Sequence, residues 1–125
     1  MTRLRAIFFT AIAAGAVLIS LWRLSESEAG LSIDHLHVSE TPVNVMRRSD
    51  SQPAPVIIIA HGFSGSQQLM APLATTLARN GDVAVTFDFS GHGRNPTPMP
   101  GGLAKLETST AALLNDIDEV VRFAR

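Results

Sequence analysis

The sequence contains no cysteine, so it can form neither a disulfide nor a thiolate metal site, and cysteine usage leaves the redox compartment open. Charge is sparse and balanced, because 10 Lys and Arg stand against 11 Asp and Glu, a formal net charge of -1. Such a chain has no strongly basic surface, and we expect no nucleic-acid partner. Its 125 residues leave room for one small domain.

A long uncharged run does occur near the amino terminus. Arg3 and Arg5 precede residues 6–22, which carry no charge and reach the roughly 17 to 25 residues that a membrane-spanning helix needs. We predict a helix over 6–22 that acts as a signal anchor, with a cytoplasmic amino terminus and an extracytoplasmic domain. The alternative is a signal peptide cleaved near Ser27 and Ala29, which would give a secreted protein.

Composition divides the rest of the chain. We predict a membrane segment over 1–24, a polar spacer over 25–30 and one domain over 31–125. The domain opens with two short strand patterns, at 31–38 and 43–47, separated by a turn-rich break that contains a proline. This arrangement predicts an antiparallel hairpin.

A strand, a helix and a second strand are predicted next. Residues 56–59 are an uninterrupted β-branched run, which favours a central strand of a parallel sheet, buried on both faces. Ser66 can cap a helix, which we expect to begin a few residues later because Pro72 is tolerated only near the first turn. Its apolar stripe, which should pack on the sheet, consists of Leu69, Leu73 and Leu77, with Met70, Ala74 and Ala78 beside them. Residues 83–89 then alternate bulky and small side chains, as a second parallel strand would.

A loop and a second helix complete the pattern. Residues 91–102 are rich in Gly and Pro, which predicts an irregular loop. Thr108 or Ser109 can cap a helix whose apolar residues recur at helical spacing. Those residues are Leu113, Leu114, Ile117, Val120, Val121 and Ala124. The opposite, polar face is assigned to Asn115, Asp116, Asp118 and Glu119.

Two motifs carry a resemblance to a known family. His61-Gly62 follows the first strand of the strand-helix-strand unit, and residues 88–95 read Asp-Phe-Ser-Gly-His-Gly-Arg-Asn after the second. Over 31–125 the chain resembles the amino-terminal part of the α/β-hydrolase fold family, with Asn95 where the family usually has Ser. The fold class this implies is α/β: an antiparallel hairpin, then parallel strands with covering helices, preceded by a transmembrane or signal helix.

The resemblance also implies roles for the first loop. The backbone N–H of Phe63 matches one donor of the family's oxyanion hole, Gly62 allows the close approach this needs, and His61 shapes the loop. The nucleophile, acid and base are expected to be missing from this chain, because the family carries them after a later strand. Residues 62–66 resemble the Gly-x-Ser-x-Gly nucleophile motif but end in Ser66 instead of Gly. Ser64 is therefore interpreted as a loop hydroxyl and not as the nucleophile.

Other polar groups have simpler interpretations. His92 lies between glycines and is interpreted as part of the loop geometry, while the position of Asp88 in the family usually braces the loop. His35 and His37 have a spacing that could seat a metal ion, but no third ligand is apparent, so we expect edge-strand histidines and no metal. No dinucleotide or phosphate-loop motif is present, and we expect no cofactor.

The function implied by the resemblance is acyl hydrolysis by a serine nucleophile, on ester, amide or other acyl bonds of a small-molecule or peptide substrate. The 125 residues are then expected to be the amino-terminal part of a longer enzyme, inactive alone and attached to a membrane through 6–22. The alternative is a membrane-anchored α/β module that binds a partner without catalysis.

Overall fold

The computed structural model describes residues 2–50, 52–101 and 105–125. Its helices are α1 (Thr2–Ser27), α2 (Gln67–Arg79) and α3 (Leu106–Phe123). Its strands are β1 (Leu31–Val38), β2 (Thr41–Arg48), β3 (Val56–Ile59) and β4 (Val83–Phe87). The predicted fold class is confirmed: an apolar helix, an antiparallel hairpin and a parallel strand pair with covering helices follow one another along the chain.

The four strands form one mixed sheet in the order β1-β2-β4-β3. β2 pairs antiparallel with both β1 and β4, and β3 pairs parallel with β4. Among the four strands of the described residues β3 lies at the edge and Val56 is 44% exposed, so the predicted central position of 56–59 is not seen in this part of the fold. Ile57 and Ile58 nevertheless contact opposite core clusters, so the apolar run reflects two covered faces and not two paired edges.

β4 separates two apolar layers, as its alternating residues predict. Val85 and Phe87 pack in the layer that includes Val120 of α3. Ala84 packs in the other layer, against Ala74 and Ala78 of α2. Small residues on both sides of that contact let the helix come close to the sheet, whereas the bulky side chains fill the space beneath α3.

The apolar stripe of α2 lies differently from the prediction. Met70, Ala74 and Leu77 contact the sheet layer, but Leu69 and Leu73 are 66% and 51% exposed. Residues four apart on a helix with 3.6 residues per turn are rotated by about 40° per step, so a line through 69, 73 and 77 leaves the buried face. Pro72 lies inside α2, which begins directly at Gln67 and not a few residues later.

The other two helices have longer bounds than predicted. α3 begins at Leu106 with Lys105 at its cap position, and not after Thr108 or Ser109. The Ser109 hydroxyl instead donates to the Pro100 carbonyl at 3.0 Å. That bond fixes the chain before α3 to the first turn of the helix.

α1 continues through the first part of the predicted spacer. It is long and apolar enough, by length and composition, to cross a membrane, and the apolar part is exposed throughout. Ser25 and Ser27 remain helical, and their hydroxyls donate back to the carbonyls of Trp22 and Leu24. The boundaries 1–24, 25–30 and 31–125 stay a prediction.

Substitution of Phe87 tests the position of the core. Phe87 is fully buried, so Phe87→Ala should lower the free energy of unfolding by about 3–5 kcal/mol. Leu73→Ala is the matched control and should change it by less than about 0.5 kcal/mol, because that side chain is half exposed. Urea unfolding of the detergent-solubilised chain, followed by circular dichroism, measures both. Equal losses would contradict the assigned layers.

Candidate active site

Two loops meet at the carboxyl end of the parallel strand pair. The chain leaves β3 after Ile59 and β4 after Phe87, and the carboxyl ends of these parallel strands lie at the same end of the sheet. Ligands of α/β sheets bind beyond the carboxyl ends of the strands. A cleft of about 470 Å³ opens there, with apolar, glycine, hydroxyl and imidazole groups in its wall. The lining residues are His61, Gly62, Phe63, Ser64, Phe89, Gly91, His92, Met99, Leu106, Ser109, Thr110 and Leu113.

The first loop contains a tight turn. The Gly65 N–H donates to the Gly62 carbonyl at 3.0 Å, and Ser64 has a positive φ of 58°. A positive φ at the third residue is typical of a type II turn, in which Phe63 takes the second position. A Cβ on Gly65 would lie 2.9 Å from the Gly62 oxygen, so the turn requires glycine there.

The Phe63 amide lies in this turn beside the cleft. Within residues 2–50, 52–101 and 105–125, the Phe63 N–H donates to no acceptor. Its side chain is 83% exposed and contacts the His92 ring edge to face, with centroids 6.1 Å apart. The predicted role of this amide in an oxyanion hole stays a prediction.

His61 connects the two loops. Its ring is buried, Nδ1 lies 2.8 Å from the Gly62 carbonyl, and Nε2 accepts the Phe89 N–H at 3.3 Å. These two bonds are both made when the neutral ring carries its proton on Nδ1. The ring also packs edge to face on Phe89, with centroids 5.1 Å apart. His61 thus contacts both loops, and its loop-shaping role stays a prediction.

Asp88 is the buried carboxylate of the site. Its Oδ1 accepts the Gln67 N–H at 2.7 Å, and its Oδ2 accepts the Gln67 Nε2–H at 2.9 Å and the Arg94 N–H at 3.0 Å. The side chain of Ser66, the predicted cap, makes no capping bond, and Asp88 binds the first amide of α2 instead. Gly93 passes so close that a Cβ there would overlap the carboxylate. Asp88 therefore braces both loops.

Asp116 was assigned wrongly to the exposed face of the second helix. It is buried, and its carboxylate accepts the Ser90 N–H at 2.8 Å and the Ser90 hydroxyl at 3.1 Å. Asp116 comes three residues after Leu113 and four before Val120, which is the spacing of the buried face. That spacing was the signal for its burial. The bond joins α3 to the loop that follows β4.

The remaining polar residues of the second loop stabilise its shape. The Nδ1 of His92 lies 3.1 Å from the Ser90 carbonyl. Asn95 donates from Nδ2 to the Asp88 carbonyl at 2.8 Å and accepts the Thr97 N–H at 2.9 Å. Asn95, at the position where the resemblance led us to expect serine, thus closes the loop with both ends of its amide.

The two histidines of the hairpin, His35 and His37, are not among the residues that line the cleft. His35 Nδ1 lies 2.6 Å from the Asn44 side-chain oxygen across the β1–β2 pair. In the part of the chain that the structure describes, no group of three or more His, Cys, Asp or Glu side chains could hold a metal ion. The contact that His35 makes is the cross-strand hydrogen bond with Asn44.

Comparison with known proteins identifies related sequences and structures. The family described as "Serine aminopeptidase, S33" matches residues 51–125. No curated protein matches the chain significantly. Among solved structures, a protein from Thermus thermophilus is 21% identical with a TM-score of 0.57, and the match covers 75% of this chain and 40% of that one.

Two further structures are similar. A cold-adapted esterase from an Arctic intertidal metagenomic library is 20% identical with a TM-score of 0.57, over 76% of this chain and 45% of its own. A bacterial membrane phospholipase A, described as a virulence factor, is 23% identical with a TM-score of 0.50, over 96% of this chain and 41% of its own. At these identities the likeness concerns the fold, and the chain spans less than half of each structure.

The bracing role of Asp88 predicts a specific defect. Asp88→Asn replaces one acceptor oxygen by an NH₂ group, so one of the three donors loses its partner. We expect a loss of about 1–3 kcal/mol in the free energy of unfolding and faster amide hydrogen exchange at Gln67 and Arg94. Asp118→Asn, at an exposed position of α3, is the control. Unchanged exchange in the Asp88 variant would refute the assignment.

Proposed function

The chain belongs to the S33 serine aminopeptidase family of α/β hydrolases, whose model matches residues 51–125, and from this we propose that it is part of a serine hydrolase that cleaves acyl bonds. The proposed enzyme acts on ester, amide or other acyl bonds. Its nucleophile, acid and base belong to sequence outside these 125 residues. The share of the similar structures that this chain covers supports the proposal, because it spans only 40% and 45% of the length of two of them.

The observation that carries the proposal is the Phe63 amide at the wall of the cleft. Within the described residues this N–H has no acceptor, and the type II turn and the His61 contacts hold the loop in place. A fixed amide donor of this kind can stabilise an oxyanion, because its dipole needs no reorganisation during the reaction. Gly62, without a side chain, leaves room for the substrate carbonyl beside it.

The reaction follows from these parts. A serine oxygen would attack the acyl carbon while a histidine takes the serine proton, and the carbonyl oxygen would gain negative charge. The Phe63 N–H and the amide that follows the serine would share that charge. The histidine would then return the proton to the leaving group, and water would hydrolyse the acyl-enzyme by the same steps.

The cleft wall supports an uncharged acyl group as the part of the substrate bound there. Phe63, Phe89, Met99, Leu106 and Leu113 supply apolar surface, and among the described residues that line the cleft there is no Asp, Glu, Lys or Arg. A buried charge without a partner is unfavourable, so a charged group is not expected next to these side chains. The substrate is a small molecule or a peptide that presents such an acyl group.

We propose that α1 anchors the enzyme in a membrane. Arg3 and Arg5 at its start and its exposed apolar surface support a single span with a cytoplasmic amino terminus. Residues 31–125 then lie outside the cytoplasm. Cleavage near Ser27 and Ala29, which would give a secreted enzyme, is less favoured because the uncharged run over 6–22 is longer than the roughly 7 to 15 residues of a usual signal-peptide core.

The gene beyond codon 125 provides the direct test. We expect a reading frame that encodes an apolar strand of about four to eight residues, followed at once by Gly-x-Ser-x-Gly, and later an acidic residue and a histidine. Replacement of that serine by alanine should abolish hydrolysis of a short-chain nitrophenyl ester by the complete protein. If no frame encodes these elements, the proposal fails and the non-catalytic membrane module takes its place.

The role of the Phe63 amide can be tested in the complete protein. Phe63→Pro removes the N–H donor at a turn position where proline is common, so the loop should be retained. We expect kcat to fall by about 10²–10³-fold.

Phe63→Ala is the matched control for this test, because it removes the same side chain and keeps the amide. The alanine variant should retain much of the activity of the natural protein. Equal activity of the proline and alanine variants, both measured with the same ester, would show that this amide is not an oxyanion donor.

A further inference from the structure

The helix α1 and the cleft lie at opposite ends of the sheet. β1 begins at Leu31, which pairs with Arg48 at the end of β2. The same end of β2 lies beside the start of β4, since Met46 pairs with Ala84. α1 therefore joins the domain at the amino-terminal end of β4, whereas the cleft opens beyond its carboxyl end.

The joint between α1 and the domain is short and bonded. The Leu31 N–H donates to the Glu28 carbonyl at 3.0 Å, and the Ser49 N–H donates to the Gly30 carbonyl at 3.0 Å. Arg79, in the last turn of α2, donates from its guanidinium to the Glu26 carbonyl at 3.0 Å. The apolar part of α1 is not covered by the domain. The helix thus meets the domain through its carboxyl-terminal end.

Strand register gives the distance between the two ends. Arg48 is level with Leu31, Val43 is level with Phe87, and the cleft lies beyond Phe87. With a rise of about 3.4 Å for each residue of a strand, the cleft stands roughly 20 Å from the end of the domain that receives α1. A bilayer around α1 would therefore lie beneath the domain, and its surface would not reach the cleft.

We propose that the cleft faces away from the bilayer and receives its acyl substrate from the aqueous phase. This inference rests on the proposed function, and in particular on the membrane anchorage of α1. The apolar cleft wall binds an uncharged apolar group, but the group arrives on a molecule that is dispersed in water. A lipid that stays embedded in the bilayer would have to leave it completely before its acyl bond reached Phe63.

The absence of cysteine permits a clean test of this geometry. Single substitutions of exposed residues place a thiol-reactive fluorophore at either end of the domain: Ser64→Cys and Gln68→Cys at the cleft end, Glu28→Cys and Asn80→Cys at the helix end. The full 125-residue chain is reconstituted in lipid nanodiscs, and its circular dichroism is compared with that of the unlabelled chain. Fluorescence is quenched either by lipids with a nitroxide in the headgroup or by acrylamide in the buffer.

We expect nitroxide lipids to quench most of the fluorescence at positions 28 and 80 and to leave that at 64 and 68 nearly unchanged. Acrylamide should quench the labels at 64 and 68 strongly. Equal nitroxide quenching at both ends, or stronger quenching at the cleft end, would overturn this inference alone, because the serine and Phe63 tests would be unaffected. A chain that does not associate with the nanodisc would overturn both the inference and the proposed anchorage.

Discussion

The loops at the carboxyl end of the sheet depend on the buried carboxylate of Asp88. A buried charge is unfavourable by several kcal/mol unless hydrogen bonds replace its water, and here the first amide of α2, the Gln67 side chain and the Arg94 amide do so. The amino terminus of α2 also carries a partial positive charge that favours the anion. One side chain thereby sets where α2 starts and how closely Gly93 approaches. His61 and Asp116 also hold these loops, because each is a buried side chain that accepts a backbone N–H of the loop after β4.

The layers beneath these loops follow from the two faces of β4. Phe87 and Val85 require space, which α3 provides through Val120, while Ala84 permits the close approach of α2. Since β4 also pairs with strands on both of its edges, a change in its register would move every layer together. The positions of Asp88 and Phe89, directly after this strand, are therefore set by the core.

The residue pattern predicted the hairpin, the strand pair and both covering helices, because alternation and helical spacing report which faces are buried. It did not predict the place of β3 at the end of the described strand order, since an apolar run says nothing about paired edges. The four-residue spacing of the leucines in α2 predicted that Leu73 is buried, but it is half exposed. Asp116 was assigned to the polar face because it is charged, although its spacing from Leu113 and Val120 indicated the buried face. The bonds from Gln67 to Asp88 span 21 residues, and no local pattern shows such a pair. Of the site, the resemblance indicated His61, Gly62 and Phe63 as loop residues.

The central place of β4 has a consequence for biosynthesis. β4 pairs with β2 and β3, yet it leaves the ribosome after both of them. Until β4 is available, the inner edge of the hairpin and the apolar strand Val56–Ile59 have no partner from the described sheet, and exposed edges of this kind pair readily with other chains. In the proposed orientation the amino terminus stays in the cytoplasm and the domain is exported behind α1, so this stage would fall on the far side of the membrane and the yield there would depend on chaperones that shield unpaired strands.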